Sequence, residues 1–397
     1  MIPYAELGVT TNFTFLTGAS HPEEMVARAA ELGLEAIAIT DRNSLAGVVR
    51  AYKALKLLRD KAQELLPIRS HRRIDSSSRQ DVGWQRPLPR PETPQLPRLI
   101  TGARLVLRDG RGVDWLALPT DLAAYQRLTR LLTLGKRRAE KGQCHLDLAD
   151  LLAGCAGMIL IALPEDLRRA APEIQQMRRR YPGHVFLGAA PRYDGSDQAY
   201  FDACAALALR CAAPMVAVGD VLLHRAARRQ LADVLTCLRE GCTIDHIGTR
   251  ALPNAERRLK GAEDMARLFR NHPAALRRTV EIAGRCSFCL SELSYQYPEE
   301  GSQHEPPMAR LRRLAEEGLA RRYPKGATAK ARALLDKELT VVEELKFPAY
   351  FLTVHDIVQF ARSRGILCQG RGSAANSILC YLLGITDVSP EMIGMVF

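Results

Sequence analysis

Residues 365–386 read GILCQGRGSAANSILCYLLGIT. A short apolar run (366–368) is followed by a small-residue turn made of Gly370, Arg371, Gly372 and Ser373. A stretch with apolar residues at helical spacing comes next. The pattern predicts a strand, a Gly/Ser loop and a helix over about 374–383. Glycine lets a backbone take positive φ and come close to a ligand. The N–H groups at a helix start carry partial positive charge, so a turn of this kind suits a phosphate. Arg371 and Ser373 add a charge-assisted donor and a hydroxyl. A tight strand-to-helix connection that binds nothing fits the same residues, and the turn alone does not separate the two readings.

The residues upstream widen the pattern. FPAYFLTVHDIVQFARSRGILCQGRGSAANS (347–377) resembles the start of the palm domain in the alpha subunit of bacterial DNA polymerase III, with closer likeness to the error-prone branch of that family. The resemblance implies that Gly372 and Ser373, with Arg371 beside them, contact the triphosphate of an incoming nucleotide. It implies templated transfer of a deoxynucleotide to a primer 3′-OH, in replication and damage-tolerant repair synthesis. The partners it implies are primer–template DNA, dNTPs and other replication or translesion proteins. Mg²⁺ is expected for the complete polymerase, held by an Asp-x-Asp pair some tens of residues past the Gly-Ser pair. By family spacing that pair falls after Phe397, and Asp387 in ITDVSP is not part of one. Residues 1–397 are therefore expected to be a truncated front part of the subunit, with no catalytic residue of its own and no polymerase turnover alone.

The opening of the chain reads as β-α-β-α. Residues 4–9 suit a strand. Ser20, Pro22 and Glu23 suit a capped helix start, and Gly33 its end. Residues 34–40 suit a buried strand with Asp41 at its C-terminal end, and 44–57 a second helix. NFTFLTGASHPEEMVARAAELGLEAIAITDRNSLAGVVRA (12–51) resembles the PHP domain that opens the same polymerases. The implied fold is α/β: a PHP-type distorted (β/α)7 barrel, then a helical segment and a partial, nucleotidyltransferase-like palm.

Active PHP domains bind up to three metal ions, so the ligand positions can be matched one by one. The His-x-His pair is replaced by Gly8 and Thr10. The Asp-His element keeps Asp41 but has Arg42. The Glu position is Arg104. The closing Asp-x-His keeps Asp220, has Leu222 in place of the histidine, and shows a histidine only at His224. A multinuclear site needs several anionic or imidazole donors converging. Asp41, Asp220 and His224 are thus read as degenerate remnants, with no metal expected on this chain and the two aspartates capping strand ends.

Further along, 99–107 and 113–118 suit a hairpin around Asp109 and Gly110, with strands at 158–162, 185–189 and 215–218 and helices at 122–134 and 164–180. Residues 59–97 are rich in Pro, Ser and Arg and read as a disordered insertion. LADVLTCLREGCTIDHIG (231–248) and PNAERRLK (253–260) again resemble the error-prone branch. The expected layout is a PHP domain over 1–235, a connecting helical region over 236–306 with helices at 262–270 and 274–286, and a partial palm over 307–397 with helices at 308–322 and 329–346.

Composition sets the outer bounds. Fifty-six Lys and Arg against 44 Asp and Glu leave a formal charge of +12, which favours a polyanionic partner or reflects a generally basic composition. Ten scattered cysteines, the lack of a signal peptide and the lack of a spanning apolar run point to a cytoplasmic chain with no membrane partner. Cys286 and Cys289 form a lone CxxC, better read as two half-buried residues at a helix end than as a metal site. Two alternatives stay open: a PHP-type metal-dependent phosphoesterase, and a non-catalytic DNA-binding remnant.

Overall fold

The computed structural model describes residues 3–64, 96–108, 112–294 and 305–390. Most of the 59–97 insertion, the Asp109–Gly110 turn and the end of the chain lie outside these. The chain divides into two compact units, 1–293 and 294–397.

The first unit is built on one seven-stranded sheet: β1 (Ala5–Val9), β2 (Ala36–Arg42), β3 (Arg98–Leu105), β4 (Val113–Pro119), β5 (Met158–Pro164), β6 (Val185–Ala189) and β7 (Met215–Ala217), in that spatial order. β4 runs antiparallel to both neighbours and the other pairs are parallel. A bridge between Val9 and Val221 curls the last strand's continuation back onto the first. This is the expected distorted barrel, mixed rather than wholly parallel.

Side chains alternate across the strands, as a sheet buried on both faces requires. Leu7, Ala38, Ile100, Leu116, Ile161 and Val218 form one buried cluster. Val9, Ile39, Leu105, Trp115, Leu160 and Leu187 belong to the other, with the helices. Those helices are α1 (Pro22–Glu31), α2 (Val48–Glu64), α3 (Leu122–Arg137), α4 (Leu148–Gly154), α5 (Ala171–Arg180) and α6 (Asp197–Cys211), followed by α7 (Arg229–Glu240), α8 (Ala262–Leu268) and α9 (Pro273–Arg285). Through Ile282 and Ala283, α9 joins the first cluster, and the Thr279 hydroxyl accepts from the Ala5 amide at 3.2 Å.

Several local expectations need correcting. The first helix starts one residue late: His21 is the N-cap, and its amide donates to Glu24 at 2.9 Å. Ser20 turns away to accept from the His224 amide. The second helix begins at Val48 rather than residue 44, because 43–47 form a turn that starts with Asn43 at φ 45°. The expected helix over 164–180 is only Ala171–Arg180, because residues up to Pro164 complete β5.

The described residues of the second unit form helices joined by turns, with no strand: α10 (Pro307–Arg322), α11 (Ala329–Glu344), α12 (Pro348–Ser363) and α13 (Ile378–Leu382). Leu311, Leu319, Leu335, Leu339, Leu352, Ile378 and Leu382 make its core. The strand expected at 366–368 is absent. Gly365 turns the chain at φ 70°, and Ile366 and Leu367 are 56% and 98% exposed with no strand beside them. The helix expected from 374 is divided: a 3-10 turn at Gly372–Asn376, then α13 capped by Ser377, whose Oγ accepts from the Cys380 amide at 3.0 Å.

Glu6 is buried in the sheet, where it accepts from Tyr4 Oη at 2.6 Å and from the Gly8 and Gly219 amides at 2.9 and 3.0 Å. Gly219 is required there, since a Cβ would stand 2.1 Å from Glu6 Oε2. Burial pushes the Glu6 carboxyl up to about 7, against the pull of those three donors. A folded-state pKa raised above the unfolded one makes the fold lose stability as pH rises from about 4.5 to 7, by up to about 3 kcal/mol. Urea unfolding at pH 5 and pH 8 should therefore show a smaller loss in Glu6→Gln than in the parent, and equal losses in the two would contradict this assignment.

Candidate functional site

Two places carry chemistry, one in each unit. In the first, the carboxyl ends of the strands open onto a cleft of about 630 Å³ lined by Arg104, Asp114, Glu165, Arg192, Tyr193, Asp220 and Arg257, among others. This is where an open α/β sheet places a ligand.

The PHP ligand positions lie at this end, and each has a local reason for what it does. Gly8 has no room for a side chain, since a Cβ would come 2.5 Å from Val218 Cγ1. Thr10 is buried and its amide donates to the Val221 carbonyl at 2.9 Å. Asp41 is saturated: it accepts from the Thr11 amide, the Thr11 hydroxyl and the Thr14 hydroxyl, each at 2.8 Å. Burial raises its pKa despite these donors. Asp41 thus ties the loop after β1 to the end of β2.

Asp220 has a different role. It sits at φ 47°, a left-handed backbone that aspartate tolerates. Its two oxygens are held by Arg104 on β3 and Arg257. Burial alone would raise its pKa, but the two guanidinium groups outweigh it and hold the carboxyl below its usual range. Arg104 also lies 3.7 Å from Asp114. Cations thus occupy the ground where the resemblance would put metal ligands. Arg257 belongs to the 253–260 stretch, and sequence reasoning gave it no role; nothing in that stretch marks it as the partner of a residue 37 positions away.

The remaining positions do not converge. Leu222 is buried among apolar residues. His224 pairs through Nδ1 with Ser20 Oγ at 2.9 Å, with Glu24 at 3.9 Å, and burial lowers its pKa. Among the described residues no group of three or more His, Cys, Asp or Glu side chains could hold a metal ion. Cys286 is buried, with its thiol pushed up to about 12 by burial.

The second place is the turn that carries Arg371, Gly372 and Ser373. All three are exposed, and Gly372 stands at φ 62°. Arg371 makes no ion pair among the described residues, unlike Arg322 and Arg362, which both hold Asp387. A polar clasp fixes the entry to the turn. The Gly370 amide donates to the Ile385 carbonyl at 2.7 Å, and Gln369 bonds the Thr386 hydroxyl at 2.7 Å and the Asp387 amide at 3.1 Å. Among the described residues, nothing covers Arg371, Gly372 and Ser373 at the tip of the turn.

The Arg104–Asp220 pair yields a direct test. Arg104→Ala leaves a buried carboxylate short of one partner and should cost about 3 kcal/mol. Combined with Asp220→Asn, which keeps the left-handed backbone favourable, the loss should fall well short of the sum. A double-mutant cycle by urea unfolding measures this, and additive losses would show that the pair is not coupled.

Comparison with known proteins places both units. The PHP domain model matches residues 6–80, and the model for the bacterial DNA polymerase III alpha NTPase domain matches 309–397. An error-prone DNA polymerase of Ruegeria pomeroyi is 76% identical over 395 residues, covering 99% of this chain and 36% of that protein. One from Rhodopseudomonas palustris strain BisB5 is 46% identical over 401 residues, covering 99% of the chain and 33% of its own length. One from Caulobacter vibrioides is 43% identical over 393 residues, at 98% and 32%. The chain thus spans about a third of the length of these curated relatives. Among solved structures, an amidohydrolase from Chromobacterium violaceum aligns with 55% of the chain and 87% of its own at 14% identity and a TM-score of 0.34. Over almost its whole length the chain is thus similar to about a third of these error-prone DNA polymerases.

Proposed function

We propose that this chain forms the PHP domain and the entry to the palm of an error-prone DNA polymerase, and that Arg371, Gly372 and Ser373 hold the triphosphate of the incoming dNTP. The observation that carries this is the exposed turn with a positive-φ glycine, a serine and an arginine that makes no ion pair among the described residues. A guanidinium and a hydroxyl presented together suit phosphate oxygens, and a glycine lets backbone approach them. The substrates in this reading are dNTPs and primer–template DNA, and the net charge of +12 suits the latter. Other replication or translesion proteins would assemble around it.

Nucleotidyl transfer uses two Mg²⁺ ions on converging carboxylates. The described residues do not fit that role: Asp41 is filled by threonines, Asp220 by two arginines, and Asp387 by Arg322 and Arg362. The 397 residues hold no Asp-x-Asp pair either. We therefore assign this chain nucleotide positioning rather than metal chemistry, with no polymerase turnover by itself. Among the described residues no helix is long and apolar enough to cross a membrane.

The test joins this chain to the part of the Ruegeria pomeroyi relative that lies outside the match, and measures primer extension. The chimera should extend a primer with Mg²⁺. Ser373→Ala and Arg371→Ala should each raise the KM for dNTP by about tenfold, the scale of one lost charge-assisted hydrogen bond, with primer–template affinity unchanged. Unchanged KM in both variants, or extension by residues 1–397 alone, would contradict the assignment.

A further inference from the structure

The amides at the start of α13 are already engaged by a carboxylate from another helix. Glu338 on α11 accepts from the Ile378 amide through Oε1 at 3.1 Å. Its Oε2 accepts from the Leu379 amide at 3.0 Å and from the Ser377 hydroxyl at 2.7 Å. Ser377 Oγ in turn accepts from the Cys380 amide at 3.0 Å. Exposed N–H groups at a helix start attract an anion, and here the protein supplies its own.

The consequence falls on the turn just before. The 3-10 segment Gly372–Asn376 runs straight into Ser377, so fixing Ser377 fixes the exit of the turn. The entry is fixed independently by the Gln369 clasp. Between the two anchors lie residues 371–376, the stretch that presents Arg371 and Ser373. The half-buried Glu338 also removes the α13 amides from competition for a ligand's phosphates.

We propose that Glu338 is a positioning residue for this turn: it holds Ser377 and the first amides of α13, and so sets how Ser373 and Arg371 meet a triphosphate. The inference rests on the reading of the turn as a triphosphate site. Glu338 acts through Ser377 and touches no phosphate itself. Glutamine at 338 has the same shape, keeps one acceptor oxygen and loses the other, so it releases part of the clamp without opening a cavity.

The test uses the 397-residue chain, with dATP and dAMP as probes in ligand-observed NMR titrations and amide hydrogen exchange over 372–380. The parent should prefer dATP to dAMP. Ser373→Ala should reduce that preference, and Glu338→Gln should reduce it by about tenfold, with amides of 372–380 exchanging at least about tenfold faster and those of α10 unchanged. Loss of the preference is a result that general destabilisation would not give, because dAMP binding serves as the internal control. A preference lost in Ser373→Ala but intact in Glu338→Gln overturns the role of Glu338 and leaves the turn standing. No preference in the parent overturns the triphosphate reading and this role with it, and exchange then reports only whether Glu338 holds the backbone.

Discussion

A carboxylate taken out of water needs a cation, and at the mouth of the first unit Asp220 finds two. Arg104 reaches it from β3 and Arg257 from the segment after the last strand, so one charge cluster ties the third strand to the segment that follows the seventh. The cleft around it follows from that arrangement. Its guanidinium groups balance buried acids, and Asp41, at the end of β2, is engaged by threonine hydroxyls and an amide. The same strand ends that could gather metal ligands hold the fold together by ion pairing. A fixed guanidinium cannot leave as a metal can, and it offers no bound water to activate.

The second unit solves a different problem. In the proposed reading its turn meets a phosphate, which calls for an open tip and a stiff base. Here the tip is Arg371–Gly372–Ser373, and the base is made of side-chain hydrogen bonds rather than sheet. Gln369 and Thr386 close one side, and Glu338 with Ser377 closes the other. Such polar clamps are directional, so they fix orientation as well as distance.

Much of this was legible in the sequence because it is periodic or local. Short apolar strands alternating with helices point to the barrel, and the order of residues in 347–377 and 12–51 carries the resemblance to the polymerases. What escaped was decided by distant partners. The apolar triplet Ile366–Leu367–Cys368 reads as a strand by composition, yet no neighbouring strand exists for it to pair with among the described residues. Ser377 is a sound N-cap followed by an apolar run, a signal that was outweighed by the earlier glycines. Glu338 and Arg257 carry no local mark at all: each acquires its role from a residue 37 or more positions away. Ser20 is the better cap by residue type, yet the amide and ring of His224 engage its hydroxyl and His21 takes the cap position.

The account's central claim is that nucleotide meets this chain at the turn of the second unit and not at the arginine-lined cleft of the first. Photoaffinity labelling of the chain with an azido-dATP, followed by peptide mapping, tests that claim directly. Label confined to peptides of 365–386, and displaced by unlabelled dATP, is the result predicted. Displaceable label on peptides carrying Arg192, Tyr193 or Arg257 would contradict it and make the barrel cleft the nucleotide site.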